Sequence, residues 1–153
     1  MMRTVLYIVL LGALFFVPLE RMEIANLEPI QAVWMYEDGV EIILETDTED
    51  RGVGRTVREA LDDMKQNSTG IVYLDTAQYL FVADGAETLI DSIRPFLKGN
   101  VQLCLWDGQG ALNDAIKYAD SRGLGEKLRN WERDVKLPNL SVGIQREKGE
   151  MPY

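Results

Sequence analysis

Residues 30–46 read IQAVWMYEDGVEIILET, and the reading of this stretch decides the fold. Residues 30–36 (IQAVWMY) and 40–46 (VEIILET) are both rich in β-branched and aromatic side chains. Glu37-Asp38-Gly39 separates them, with Gly at a position where a tight turn needs positive φ. The pattern predicts an antiparallel hairpin, and a hairpin needs further strands and a covering layer to be stable.

Those partners lie downstream. Residues 47–54 (DTEDRGVG) read as a polar, Gly-containing loop. Thr56-Val57-Arg58-Glu59 is a capping box, with Thr as N-cap and Glu three residues later. Val57, Ala60, Leu61 and Met64 then recur at helical spacing, and the helix should stop near residues 67–70. Residues 71–83 (IVYLDTAQYLFVA) exceed one typical strand, so Asp75-Thr76 should divide them into a strand, a bend and a second strand or short helix. Asp84 and Glu87 make a second capping signal before Leu89, Ile90, Ile93, Phe96 and Leu97, with Pro95 kinking or ending that helix.

Residues 101–106 (VQLCLW) predict another strand, and Asp107-Gly108-Gln109-Gly110 turns the chain into a helix carrying Leu112, Ala115, Ile116 and Ala119 on one face. Gly123 closes it. Residues 124–134 should form a last helix with Leu128 and Trp131 inward, and residues 140–144 a final edge strand after Pro138. Strand and helix patterns alternate after the hairpin. The expected class is α/β, with α+β as the alternative: a mixed sheet packed by three to four helices and preceded by a hydrophobic N-terminal helix.

That N-terminal helix comes from residues 4–17 (TVLYIVLLGALFFV), uncharged and placed directly after Met1-Met2-Arg3. A basic start followed by an apolar run is the layout of an export signal. Some 14–16 helical residues span roughly 21–24 Å at 1.5 Å each, short against a hydrocarbon core of roughly 30 Å. Residues 18–23 (PLERME) offer no small-residue cleavage site, and no Cys follows that could carry a lipid. The expectation is an uncleaved signal-anchor over residues 1–19, with Arg3 cytoplasmic. A charged connector over 20–28, one extracytoplasmic domain over 29–145 and a tail over 146–153 complete the layout. The competing reading, a buried helix of a soluble protein, conflicts with the lack of any polar face in the run.

Composition narrows the function. The formal charge is −9 and the 16 basic residues are spread singly, which excludes a nucleic-acid partner, since that needs clustered Lys and Arg. There is no His, so Ser-His-Asp and Cys-His nucleophile systems are impossible in this chain. The lone Cys104 cannot form an internal disulfide and reads as a small buried hydrophobe. No cofactor, metal ligand set or catalytic residue is expected.

Several weaker patterns stand beside plainer readings. The strand–DGQG–helix junction resembles a phosphate-binding turn, but Asn113 replaces the last Gly of GxGxxG and Asp107 and Asp114 would repel an anion. Asp47, Glu49 and Asp50 could hold calcium, without the spacing of an EF-hand, or could form a solvated loop. The carboxylates Asp62, Asp63 and Asp75 could form an acid–base pair, but Asp62 and Asp63 are adjacent on a helix and diverge, so those two cannot face one site. Trp34, Tyr36, Tyr73, Tyr79 and Trp106 sit on strand-like segments, as core, as cross-strand pairs or as an exposed groove. A ligand pocket, if present, belongs at strand C-termini near Tyr73, Asp75, Asp107, Gly108 and Gly110, where open α/β sheets bind ligands.

Three segments carry a family likeness: Arg21-Met22-Glu23-Ile24-Ala25-Asn26-Leu27, Gly54-Arg55-Thr56-Val57-Arg58-Glu59-Ala60-Leu61 and Ile71-Val72-Tyr73-Leu74-Asp75-Thr76. They resemble, in turn, the charged segment after the leader, the Gly-x-Thr helix start and the Tyr-containing strand of the Ger(x)C family, the C subunits of spore germinant receptors. Residues 84–97 sit where that family has its next helix. The likeness covers residues 21–106 and the family's N-terminal domain. The lipobox Cys and the His that usually follows the Tyr strand are replaced here, and the larger C-terminal domain has no counterpart in these residues. The resemblance implies a non-enzymatic, surface-exposed module of a sporulation membrane.

The functional expectation is a membrane-anchored extracytoplasmic domain, held in the cell membrane through residues 4–17, that binds another membrane or envelope protein. Its interface would use sheet-edge backbone or exposed aromatics. The alternatives are a small-ligand sensor and a carboxylate- or metal-dependent hydrolase.

Overall fold

The computed structural model describes residues 1–16 and 29–141. The end of the anchor segment, the 20–28 connector, the last residues of the expected edge strand and the 146–153 tail lie outside the described residues.

The antiparallel hairpin forms, but its turn is Gly39-Val40: Glu37 and Asp38, expected in the turn, pair within the first strand, and Val40, expected in the second strand, lies in the turn. Strands β1 (Ala32–Asp38) and β2 (Glu41–Thr46) pair antiparallel from Val33 opposite Thr46 to Asp38 opposite Glu41, with Gly39 at φ 64° in the turn. The next segment departs from the loop reading, because Arg51–Gly54 forms β3, antiparallel to β2. A local clamp returns the chain into register: the Thr46 N–H donates to the Asp50 carbonyl (3.0 Å) and the Asp50 N–H to the Thr46 hydroxyl (3.1 Å).

Helix α2 (Val57–Asn67) follows, started by the capping box: the Thr56 hydroxyl accepts from the Glu59 N–H (3.1 Å) and the Glu59 carboxylate accepts from the Arg55 N–H (2.9 Å). Its buried face is Val57, Ala60, Leu61 and Met64. It lies so close to β3 that a Cβ on Gly52 would collide with the Ala60 carbonyl. The Asp63 carboxylate reaches back to accept from the Val53 N–H at 2.9 Å, satisfying an edge-strand donor.

Strand β4 (Tyr79–Val82) runs parallel to β1, but the expected strand at 71–73 is absent. Pairing with β1 begins only at Ala32 opposite Tyr79, so residues 71–73 precede any available partner. Leu74–Thr76 makes a 3₁₀ turn, in which the Thr76 hydroxyl donates to the Ile30 carbonyl at 3.0 Å. Beyond β4 the chain forms a 3₁₀ turn (Glu87–Leu89), a single α-helical turn α3 (Ile90–Ile93) and a 3₁₀ turn (Arg94–Phe96) containing Pro95. Asp84 caps nothing there; the Glu87 carboxylate accepts from the Gly85 N–H instead (2.8 Å).

Strand β5 (Gln102–Leu105) is parallel to β4, and α4 (Leu112–Arg122) ends at Gly123 in the left-handed region. The expected last helix over 124–134 is replaced by β6 (Glu126–Lys127), antiparallel to β5, and a 3₁₀ turn (Leu128–Asn130). Backbone bonds from Leu128 to Val101 (2.8 Å) and Arg129 to Gly99 (2.9 Å) take the segment along the sheet margin. Leu128 and Trp131 still point inward, as their spacing required. The expected edge strand shrinks to one parallel bridge between Leu105 and Asn139, and Leu140 and Ser141 already carry helical backbone.

The result is α/β: a mixed six-stranded sheet in the order β3-β2-β1-β4-β5-β6. One face buries Val33, Met35, Leu44, Leu80, Val82 and Leu103 beneath α2, α3 and the Leu128–Trp131 segment. The other buries Ala32, Phe81, Cys104 and Trp106 beneath α4. Helix α1 (Met2–Phe16) places none of its side chains up to Ala13 in either core. Its side chains up to Ala13 are exposed except at Gly12, so the buried-helix reading is not met. No helix among the described residues is long and apolar enough to cross a membrane.

Candidate functional site

The five residues placed by sequence at one strand-end pocket fall at opposite ends of the parallel strands. Tyr73 and Asp75 precede β4 and so lie at its N-terminal end, whereas Asp107, Gly108 and Gly110 follow the C-terminal end of β5. Tyr73 and Asp75 are exposed neighbours, and the Asp75 carboxylate, as hydrogen-bond acceptor and nearby charge, raises the Tyr73 phenol above its ordinary range. Asp75 lines an open polar cleft of about 410 Å³ with Thr76, Gln78, Lys98, Asn100 and Gln102.

At the other end, the Asp107 carboxylate accepts from the Gln109 N–H (3.1 Å) and the Asp107 N–H donates to the Ser141 hydroxyl (2.9 Å). Gly108 has φ 79° and lies against the Trp34 indole, where a side chain would meet the ring. The DGQG turn is thus backed at Gly108 by an aromatic cluster. Trp34 stacks on Tyr36 (4.1 Å between centroids) and leans on Trp106 (4.9 Å), which meets Phe81 edge-on (5.9 Å). The indole N–H groups of Trp34 and Trp106 are buried with no hydrogen-bond partner among the described residues. The Tyr36 hydroxyl donates to Glu45 (2.9 Å), which also meets Arg51 at 3.3 Å; burial first, then the Glu45 carboxylate, raises that phenol.

The other titratable candidates are tied into structure. Asp47 accepts from the Gln31 and Ala32 N–H groups (2.9 and 3.1 Å) and so starts β1, while Asp50 accepts from the Thr48 hydroxyl (2.9 Å). No group of three potential ligands could hold a metal among the described residues. Asp63 serves β3 and the Asn67 amide (2.8 Å), so it does not converge with Asp62 or Asp75 on a site. Burial pushes the Cys104 thiol up to about 12, which removes the thiolate a nucleophile would need.

A second concavity draws on residues that the sequence reading did not single out as a site. A groove of about 630 Å³ runs between the start of α2 and the α3–Pro95 segment, on the α2 side of the sheet. Ile42, Val57, Leu89 and Phe96 supply its apolar walls, and Arg55, Arg58 and Ser92 its polar rim. The Arg58 guanidinium sits over the Phe96 ring at 5.9 Å. Neither Arg55 nor Arg58 forms an ion pair with a carboxylate among the described residues. The capping box was legible in sequence, but its arginines meet Phe96 and Leu89 only once α3 folds beside α2. Comparison with known proteins finds no similar family model, no similar curated protein and no similar solved structure.

Proposed function

We propose that this chain is a membrane-anchored, extracytoplasmic domain that binds another membrane or envelope protein. The observation that carries this reading is α1, an apolar helix whose Val, Leu and Ile side chains from Val5 to Leu11 face solvent and pack on neither core. Each such side chain gains about 1.5–3 kcal/mol on leaving water, so the helix gains most by entering a bilayer. Its 15 residues extend about 22 Å, and local thinning of the membrane meets the remaining difference. Arg3 and the amino terminus hold that end in the cytoplasm, and the acidic body lies outside.

The body carries an open side-chain groove beside α2, and among the described residues its one thiol is buried and its carboxylates are dispersed, which favours binding over chemistry. The resemblance to the germinant-receptor module supports the same assignment, in a sporulation membrane. Fractionation with surface proteolysis tests it. The full-length chain should pellet with membranes through alkaline carbonate, and external protease should reach the body of intact protoplasts. Recovery of the full-length chain in the soluble fraction overturns the assignment.

A small-ligand sensor is the second reading, favoured by the polar cleft at Asp75. It expects a thermal shift with a small polar solute, roughly 2.7 kcal/mol of added stability at 100 times its dissociation constant, abolished by Asp75→Ala.

A further inference from the structure

We propose that the groove between α2 and the α3–Pro95 segment receives an acidic, apolar peptide segment of the partner protein. This rests on the binding-domain reading and specifies the surface and the chemistry of what it binds.

Three observations converge. The walls are apolar: Ile42 and Val57 are packed into the core, while Leu89 and Phe96 remain half-exposed at the groove. The volume, about 630 Å³, falls within the roughly 300–1,000 Å³ of ligand-binding sites. The rim is cationic on a molecule of formal charge −9, and its two guanidiniums have no carboxylate partner among the described residues. The adjacent carboxylate, Glu59, is turned to the Arg55 backbone N–H. Arg55 precedes the N-cap of α2 and Arg58 lies in its first turn, where the helix dipole adds to their positive field. The exposed Ser92 hydroxyl offers a hydrogen bond on the opposite wall.

This combination fits a segment carrying Asp or Glu beside Leu, Ile or Phe. Inorganic anions would leave the apolar walls unused. Anionic membrane surfaces are recognised by clusters of about four to eight Lys or Arg, and here there are two. The planar guanidinium suits bidentate contact with a carboxylate.

The test uses the full chain in uncharged detergent micelles. Short random peptides are displayed and selected on it, and enriched sequences are synthesised and titrated by fluorescence anisotropy. Enriched peptides should carry acidic residues next to apolar ones. Binding should weaken at least tenfold with Arg55→Glu/Arg58→Glu, with Glu→Lys in the peptide, and with Ser92→Trp, which fills the groove without changing charge. Both arginines and Ser92 are exposed, so the variants should keep the parent's thermal midpoint. No enrichment, enrichment without acidic bias, or binding indifferent to charge reversal overturns the proposal. So does a result in which the variant loses only a preference for vesicles containing phosphatidylglycerol over pure phosphatidylcholine, which assigns the arginines to lipid. A partner cross-linked elsewhere on the body would sink the groove and leave the binding-domain reading intact.

Discussion

Cys104 shows how one side chain's surroundings decide its chemistry. Between Phe81 and α4 the thiol has no exposure, and burial raises its pKa from 9.0 to about 12. Its neutral form is the protonated one, so the folded state resists ionisation. That contribution is complete below pH 9 and is lost as pH climbs from about 9 toward 12. Tyr36 and Tyr79 shift in the same direction, Tyr79 through burial and then Asp120, so alkaline unfolding should steepen above pH 10. A thiol reagent at pH 8 should leave the native protein unlabelled and label it fully in denaturant; rapid native labelling would contradict the packing. Gly52 carries the complementary lesson, since Gly52→Ala places a methyl against the α2 backbone. Urea unfolding should show a loss of about 1–3 kcal/mol, and an unchanged midpoint would mean that α2 does not sit so close.

Among elements, α2 and β3 stand or fall together. Thr56→Ala removes the cap on the Glu59 N–H and should cost about 1 kcal/mol. Asp63→Ala frees the Val53 N–H and, because a charged acceptor is lost, should cost about 1.5–3 kcal/mol. Both are read as shifts in a urea midpoint, and amide exchange at Val53 should accelerate only in the second. The pairing also explains what sequence could convey. β1 and β2 were legible because β-formers crowd either side of a glycine turn. β3 was not, because its two glycines mimic a loop and are required by a helix that follows it in sequence. The spacing of Leu128 and Trp131 conveyed burial, but a 3₁₀ turn against β5 satisfies that spacing as well as a helix does. The site reading failed for a related reason. Asp75 and Asp107 each adjoin a strand, but one precedes its strand and the other follows, and the start of β1 fixes which. The groove draws on three separate stretches of sequence, so no local pattern announces it.

At the scale of the whole molecule, an exposed apolar helix and a packed α/β body share one chain. Because α1 places no side chain up to Ala13 in either core, deleting residues 2–16 should leave the urea midpoint of the body within about 0.5 kcal/mol of the parent. The same deletion should abolish flotation with liposomes. A collapsed midpoint would mean that α1 belongs to the body after all.

The flank of the sheet at β3 has a consequence for life at high local density. Molecules tethered in a plane meet one another far more often than molecules in bulk solution, and bare strand margins would then zip together into fibrils. Here the rim on that side is short, its Val53 donor is occupied by Asp63, and α2 lies across its glycines. If copies were gathered on a membrane as proposed, the β3 flank would give a neighbouring strand little backbone to pair with.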